Sequence, residues 1–353
     1  MGKPDTGVPI DRAAEPLIRK RRDGWSILVY GLLSKNQMGA AAMQLTRRNL
    51  LKGAAATGAL ASLAAGEPDP AHGFNLGIIT DEISTNLDEA ADFISSYHLH
   101  HAELREIWGK NLMIAPQEDL DRAKKVLAAH NLTVSDIGSP IFKWNIPGDA
   151  TRKNEKHDFA LGRFTEEDSD KTLLKSFELA RFFGTRKVRI FSYWRVADPD
   201  KVYPQVRDRL AQAAKLAEKN EIVLCLENEF ECNVGTGKEL GRILRDVNSP
   251  ALRGVWDPGN AILLGETPFP DGYEAVKGLF PHMHIKDARK NPATGKYVWA
   301  PVGGGVIDFK GQFAALHQDH YSGTMSLETH YRRPDGNKVE STRESLEGLL
   351  KVI

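Results

Sequence analysis

EIVLCLENE (Glu221–Glu229), LRGVWDPGN (Leu252–Asn260), HMHIKDA (His282–Ala288) and TMSLETH (Thr324–His330) are four short, largely apolar runs. Each delivers one metal-type side chain where the run ends: Glu227, Asp257, His284 and Glu328. Side chains along a strand alternate between two faces. Glu227 therefore shares a face with Val223 and Cys225, and His284 shares one with His282 and Lys286. Carboxylates and a histidine at the carboxyl ends of successive parallel strands are how a (β/α)8 barrel assembles an active site. Each residue taken singly has a plainer reading, Asp257 before Pro-Gly as a turn residue and His284 as a core histidine. An ionised carboxylate buried behind Ile-Val-Leu-Cys-Leu or Met-Ser-Leu, however, is costly without a partner, and one shared cation removes that cost for Glu227 and Glu328 together. Three oxygen donors and one imidazole suit a single divalent ion such as Mn2+, Mg2+, Co2+ or Zn2+.

Outward from these runs, strand-like and helix-like segments alternate from Phe74 onward, which predicts a parallel sheet covered by helices. FNLGIIT, HHAELRE, LTVSDIGS and RKVRIFSYW read as strands one to four. The helices between them include LDEAADFISSY, with Asn86 as its cap, and PQEDLDRAKKVLAAH, with Pro116 at its start. Asp168 to Phe183 has helical period and is closed by Gly184. IVLCLEN, LRGVWD, HMHIKD and GTMSLET are strands five to eight, and Ser341 to Val352 closes the ring. The fold class is therefore α/β, a single TIM barrel over residues 71–353. Two stretches interrupt the pattern. Pro140 to about Glu167 is a long loop, read as a lid or a subunit contact, and ARKNPATGKYVWAPVGGGVIDF is a polar hairpin-like excursion.

A barrel mouth gathers polar side chains near strand ends. Asp81 and Glu82 end strand one, Ser139 follows strand three, Phe191 lies on strand four, and Asp287 and His330 lie near strands seven and eight. The candidates for binding substrate hydroxyls are Glu103, Arg105, Lys143, Arg189, His282, Lys286 and Arg289, each of which could equally tie loops together. Gly303–Gly305 could cradle an anion through backbone donors or serve as a turn; no phosphate-loop lysine pattern accompanies it.

The 353 residues balance 47 basic against 47 acidic side chains, so nothing points to nucleic acid or an anionic membrane. No apolar run reaches the ~20 residues that span a bilayer. LTRRNLLKGAAATGALASLAAG (45–66) places Arg47-Arg48 ahead of a weakly apolar Ala/Gly/Leu run, a signal-peptide layout that looks like a twin-arginine export signal. Residues 1–70 are thus expected to be an extension plus signal, and the protein a client of the twin-arginine translocase, periplasmic or secreted, with no stable membrane anchor. Met1, Met38 and Met43 all stand as possible starts, and a homo-oligomer stays open. Cys225 and Cys232 do not make a disulfide framework.

The segments LENE, WDPGNA, HIKDA and SLETH, with ELREIWGKN and GSPIFK upstream, resemble the sugar phosphate isomerase/epimerase family. This is the xylose-isomerase-like barrel superfamily, which also contains ketose 3-epimerases, inosose dehydratases and endonuclease IV. The resemblance covers Phe74 to Ile353. It implies that Glu227, Asp257, His284 and Glu328 hold one divalent cation, and that Glu227 and Glu328 exchange a proton beside a sugar carbonyl through an enediolate. The implied activity is isomerisation or epimerisation of a free sugar, keto-sugar or related polyol. A lyase or dehydratase acting on 3-keto-glycosides, and a non-catalytic sugar-binding barrel, are the alternatives. Endonuclease IV relatives bind several zinc ions with a larger ligand set, so DNA repair is disfavoured.

Overall fold

The computed structural model describes residues 19–21, 24–26, 73–149 and 164–353. Eight parallel strands form the barrel: β1 (Asn75–Ile79), β2 (His101–Leu104), β3 (Thr133–Gly138), β4 (Lys187–Ile190), β5 (Val223–Glu227), β6 (Leu252–Trp256), β7 (His282–Ile285) and β8 (Thr324–Leu327). Each pairs with its neighbour in sequence, and β8 pairs with β1, so the sheet closes with no free edge. All eight expected strands are present.

The strand alternation sorts polar from apolar. Leu76, Ile78, Ala102, Leu104, Val188, Ile190, Leu224, Leu226, Met283, Ile285, Met325 and Leu327 are all buried, and they join helix residues in one continuous apolar layer. The opposite set fills the lumen, and it is unusually polar for a fold whose interior is ordinarily packed with branched aliphatics. Its members make contacts across the barrel: Glu103 of β2 with His282 of β7, and Lys187 of β4 with Thr324 of β8.

The covering helices begin and end where the sequence says. The helix Leu87–Ser96 is capped by the Asn86 side chain, which accepts from Asp88 N. Gly237–Val247 opens with a reciprocal capping box between Thr236 and Glu239. Ser169–Phe183 ends at Gly184, whose φ of 78° lies in the left-handed region that favours glycine.

Three expectations change in detail. Asp81 and Glu82 do not end β1; they lie in a helical turn, Thr80–Ile83. Pro258–Leu263, directly after Asp257, is a further short helix. The long loop after β3 is not free at its start. Ile141, Phe142 and Trp144 are buried, and their carbonyls accept from Phe191 N, Tyr193 N and Trp194 N; residues 150–163 of the expected lid lie outside the described residues. The expected excursion is a hairpin, Asp287–Lys290 against Tyr297–Ala300. Cys225 and Cys232 are buried free thiols.

The chain divides into two compact units, residues 1–63 and 64–353. In the first, Arg19–Arg21 pairs antiparallel with Gly24–Ser26. The segment read as an export signal lies outside the described residues.

Candidate metal centre

Each expected ligand sits at the carboxyl end of its strand. Glu227 is the last residue of β5, Asp257 follows β6, His284 lies on β7 and Glu328 follows β8. All four are buried, and one potential ligand atom from each lies within 4.8 Å of the others. His284 Nδ1 faces three carboxylates, 3.2 Å from Glu227 Oε1, 3.6 Å from Glu328 Oε2 and 3.9 Å from Asp257 Oδ2. Glu227 Oε2 and Asp257 Oδ2 are buried oxygens that receive no hydrogen bond, although Arg189 and Lys286 stand near them. Buried, under-coordinated carboxylate oxygens around one imidazole nitrogen fit a hard divalent cation.

Electrostatics favour the charged forms of the two glutamates and of His284, but not of Asp257. Burial pushes the Glu227 carboxyl up, but His284 and Arg189 outweigh it and hold it at about 2. Burial likewise raises Glu328, and Lys286 with His330 brings it well below the usual carboxylate range. For Asp257 burial prevails over Lys286 and lifts the carboxyl to about 7. Burial opposes a charged His284, yet Glu103 and Glu227 raise its pKa well above the ordinary value.

Three of the seven residues expected to bind substrate line the mouth, in a cavity of about 380 Å³: Arg105, Lys143 and Arg189. Phe230, Trp299 and His330 line it too. The other four stand elsewhere. Glu103 is fully buried beneath His284 and bonded to both His282 and His284. His282 is equally buried, and burial lowers its pKa to about 4, against the pull of Glu103. Lys286 points into the ligand cluster, with Nζ 2.6 Å from Glu328 Oε2 and 3.0 Å from Asp257 Oδ2. Arg289 is exposed on the hairpin and does not line the cavity. Strand parity carries Glu103 and His282 inward but does not say how deep in the lumen they lie.

Arg105 is the hub of the mouth. Its guanidinium reaches Asp81 Oδ2 at 2.6 Å, Glu82 Oε1 at 2.7 Å and Glu328 Oε1 at 3.1 Å, so it fixes one oxygen of Glu328 while the other faces the cluster. Gly303–Gly305 does cradle an anion, and the anion belongs to the chain itself. Gly303 N, Gly305 N, Ile307 N and Ala288 N all donate to the Asp287 carboxylate. This nest pins the hairpin carrying Trp299, whose ring meets Phe230 at 6.4 Å and His330 at 5.1 Å. A smaller cavity of about 280 Å³, lined by Arg195, Tyr203, Glu239 and Arg242, shares no residue with this site. Its charges pair internally, Arg195 with Glu239 and Arg242 with Asp200.

Residues 101–352 match the sequence pattern of the xylose isomerase-like TIM barrel family. The chain belongs to that family. Residues 44–64 match the twin-arginine translocation pathway signal, which directs export, and among the described residues no helix is long and apolar enough to cross a membrane. No curated protein matches the chain in sequence. Several solved structures share the fold. The IOLI protein, in a structure with a bound zinc atom, is 18% identical, with 79% of this chain and 98% of that one covered and a TM-score of 0.60. The 3-keto-D-glucoside 4-epimerase of E. coli is 18% identical over 79% of this chain and 100% of that one, with a TM-score of 0.57. The probable 3-DHS dehydratase AsbF of Bacillus anthracis is 16% identical over 76% and 98%, with a TM-score of 0.58. Likenesses at these identities establish the barrel alone.

Proposed function

We propose that this exported barrel is a metal-dependent isomerase or epimerase that moves a proton on the carbon beside a sugar carbonyl. The observation that carries the reading is the convergence of Glu227 and Glu328, from strands β5 and β8, with Asp257 and His284 on one point. These four residues would hold one divalent ion, Mn2+, Mg2+, Co2+ or Zn2+, which when bound acts as a Lewis acid towards a carbonyl oxygen. Asp257 and His284 serve as ligands. Glu227 and Glu328 are held ionised by the cations around them, so either carboxylate is ready to take a proton from the sugar carbon. The carboxylic acid so formed can return that proton to the neighbouring carbon, which is isomerisation; delivery to the opposite face, which is epimerisation, falls to the partner glutamate once it has taken a proton from solvent, the first glutamate giving its own proton back to solvent. Arg105, anchored on Asp81 and Glu82, keeps Glu328 aimed at the site.

The mouth supports a neutral substrate. Among the described residues lining it, Arg105, Lys143, Arg189 and Arg332 are matched by Glu82, Glu229, Glu231 and Glu328, which leaves no surplus positive charge for a phosphate. Export favours a free sugar, keto-sugar or related polyol for the same reason, met in the periplasm or outside the cell. Residues 1–70 are then a leader outside the working barrel. The same proton abstraction followed by loss of a β-hydroxyl would make the enzyme a lyase.

The test follows deuterium uptake from heavy water into a panel of ketoses and 3-keto-glycosides by the full chain loaded with metal. Wild type should label one carbon, and Glu227→Gln and Glu328→Gln should each abolish labelling. Unsaturated product without label in recovered substrate would move the assignment to elimination. Full exchange in either glutamine variant would overturn the paired-carboxylate mechanism.

A further inference from the structure

Beneath the ligand cluster, a directional chain of hydrogen bonds crosses the lumen. Lys187 Nζ, which can only donate, lies 2.5 Å from Thr324 Oγ1. Thr324 Oγ1 is 2.6 Å from His282 Nδ1, and His282 Nε2 is 2.9 Å from Glu103 Oε2. The same carboxylate lies 3.1–3.2 Å from His284 Nε2. Glu103, His282 and His284 are completely buried, so no solvent competes for these positions.

A carboxylate only accepts and an ammonium only donates, and these two ends fix every proton between them. Thr324 accepts from Lys187 and gives its own hydrogen to His282 Nδ1. His282 must then carry its hydrogen on Nε2 and donate it to Glu103. His284 must also carry a hydrogen on Nε2, since it faces the same acceptor. This leaves His284 Nδ1 as the nitrogen aimed at Glu227, Asp257 and Glu328.

We propose that Glu103 is the positioning residue of the metal centre, locking His284 in the tautomer whose Nδ1 is the ligand atom, with His282, Thr324 and Lys187 holding Glu103 in turn. The inference rests on the metal reading above and adds to it a residue that touches neither ion nor substrate. Carboxylates that orient metal-bound histidines typically account for about 10–100-fold in metal affinity. Gln at position 103 keeps the shape but offers one acceptor oxygen and one donor nitrogen. With its carbonyl at the Oε2 position it still reaches both histidines, but its amide nitrogen then stands 3.2 Å from His284 Nε2, a donor facing a donor, which weakens the hold on that ring and favours moving its hydrogen to the nitrogen that should bind metal.

The experiment uses the full chain with zinc, in wild type, Glu103→Gln and Thr324→Val. Zinc affinity is measured by competition with a chromophoric chelator, and folding is followed by circular dichroism. In 15N-histidine-labelled wild type, long-range proton–nitrogen correlations identify which His284 nitrogen carries hydrogen. The expected result is one zinc per chain, His284 bound through Nδ1 with hydrogen on Nε2, and zinc held about 10–100-fold more weakly by folded Glu103→Gln, with a smaller loss in Thr324→Val. Wild-type affinity in Glu103→Gln, or hydrogen on Nδ1 of zinc-loaded His284, overturns the proposal while the metal site stands. If Glu103→Gln does not fold, the wild-type tautomer decides alone. Absence of zinc from wild type removes the metal reading itself, and this inference with it.

Discussion

Replacing Lys286 with methionine separates the barrel's own counterion from any bound one. The ammonium lies 2.6 Å from Glu328 Oε2 and 3.0 Å from Asp257 Oδ2, and the three side chains are at most 4% exposed. Burial works against its charge, and Asp257 with Glu328 raises its pKa well above the usual lysine value. Removing one partner of a buried ion pair costs about 3–5 kcal/mol, because the survivor stays buried and unpaired. Here Arg105 still holds the other oxygen of Glu328 and His284 Nδ1 stays within 4 Å of both acids, so the lower figure applies, about 3 kcal/mol. For a domain of this size each kcal/mol moves Tm by about 2–3 °C, and Lys286→Met in excess chelator should melt about 6–9 °C below wild type. A divalent ion at about 1,000 times its Kd adds about 4 kcal/mol to a folded protein. The variant's acids no longer have a lysine competing with the ion, so the gap should narrow on adding metal. The assay is thermal circular dichroism with chelator and with Mn2+. Equal melting of the two proteins in chelator would refute the assignment of the ammonium as the structural counterion.

Two further perturbations test features outside the chemistry. A Cβ on Gly305 would meet Asp287 Oδ1 at 2.0 Å and Ala288 O at 2.5 Å, so Gly305→Ala should open the nest, cost about 1–3 kcal/mol of stability and raise KM more than it lowers kcat; unchanged melting and unchanged KM would show that the nest does not set the mouth. Asp136 is fully buried, and burial first, then Glu103, lifts its carboxyl to about 8. A folded pKa raised above the unfolded value gives stability that is present below about pH 4 and lost as pH rises through about 8. Asn would keep the acceptor for Arg189 N without the charge, so the Tm advantage of Asp136→Asn over wild type should be small at pH 4.5, grow to pH 8 and then level off. A pH-independent difference would contradict it.

The barrel and its four candidate ligands were legible because both follow from period. Hydrophobic alternation marked eight strands, and a ligand-type residue closing an apolar strand announces itself in one line of sequence. Parity also placed His282 and Lys286 on the face of His284, but parity carries no depth. Whether a lumen residue meets solvent, a histidine or a ligand carboxylate depends on strands far apart in sequence, as when Glu103 meets His282 across 179 positions. The Asp287 nest was half visible as three glycines; its anion lay sixteen to twenty residues upstream, across a hairpin whose closure no local rule supplies. Arg289 lies outside the cavity for a simpler reason: the chain leaves the barrel at Asp287, so the lumen parity of β7 no longer applies.

The acids of the lumen come with a counterion built into the chain. Glu227, Asp257 and Glu328 are set on a closed barrel, with His284 Nδ1 within 3.9 Å of all three and the tethered ammonium of Lys286 against two of them. A divalent cation entering among them would have to draw Asp257 and Glu328 away from an ammonium that stays attached to the chain, so Lys286 would compete with the ion rather than leave in exchange for it. Under the proposed function, the affinity of the site for its ion is then set partly by a competitor that the chain itself supplies.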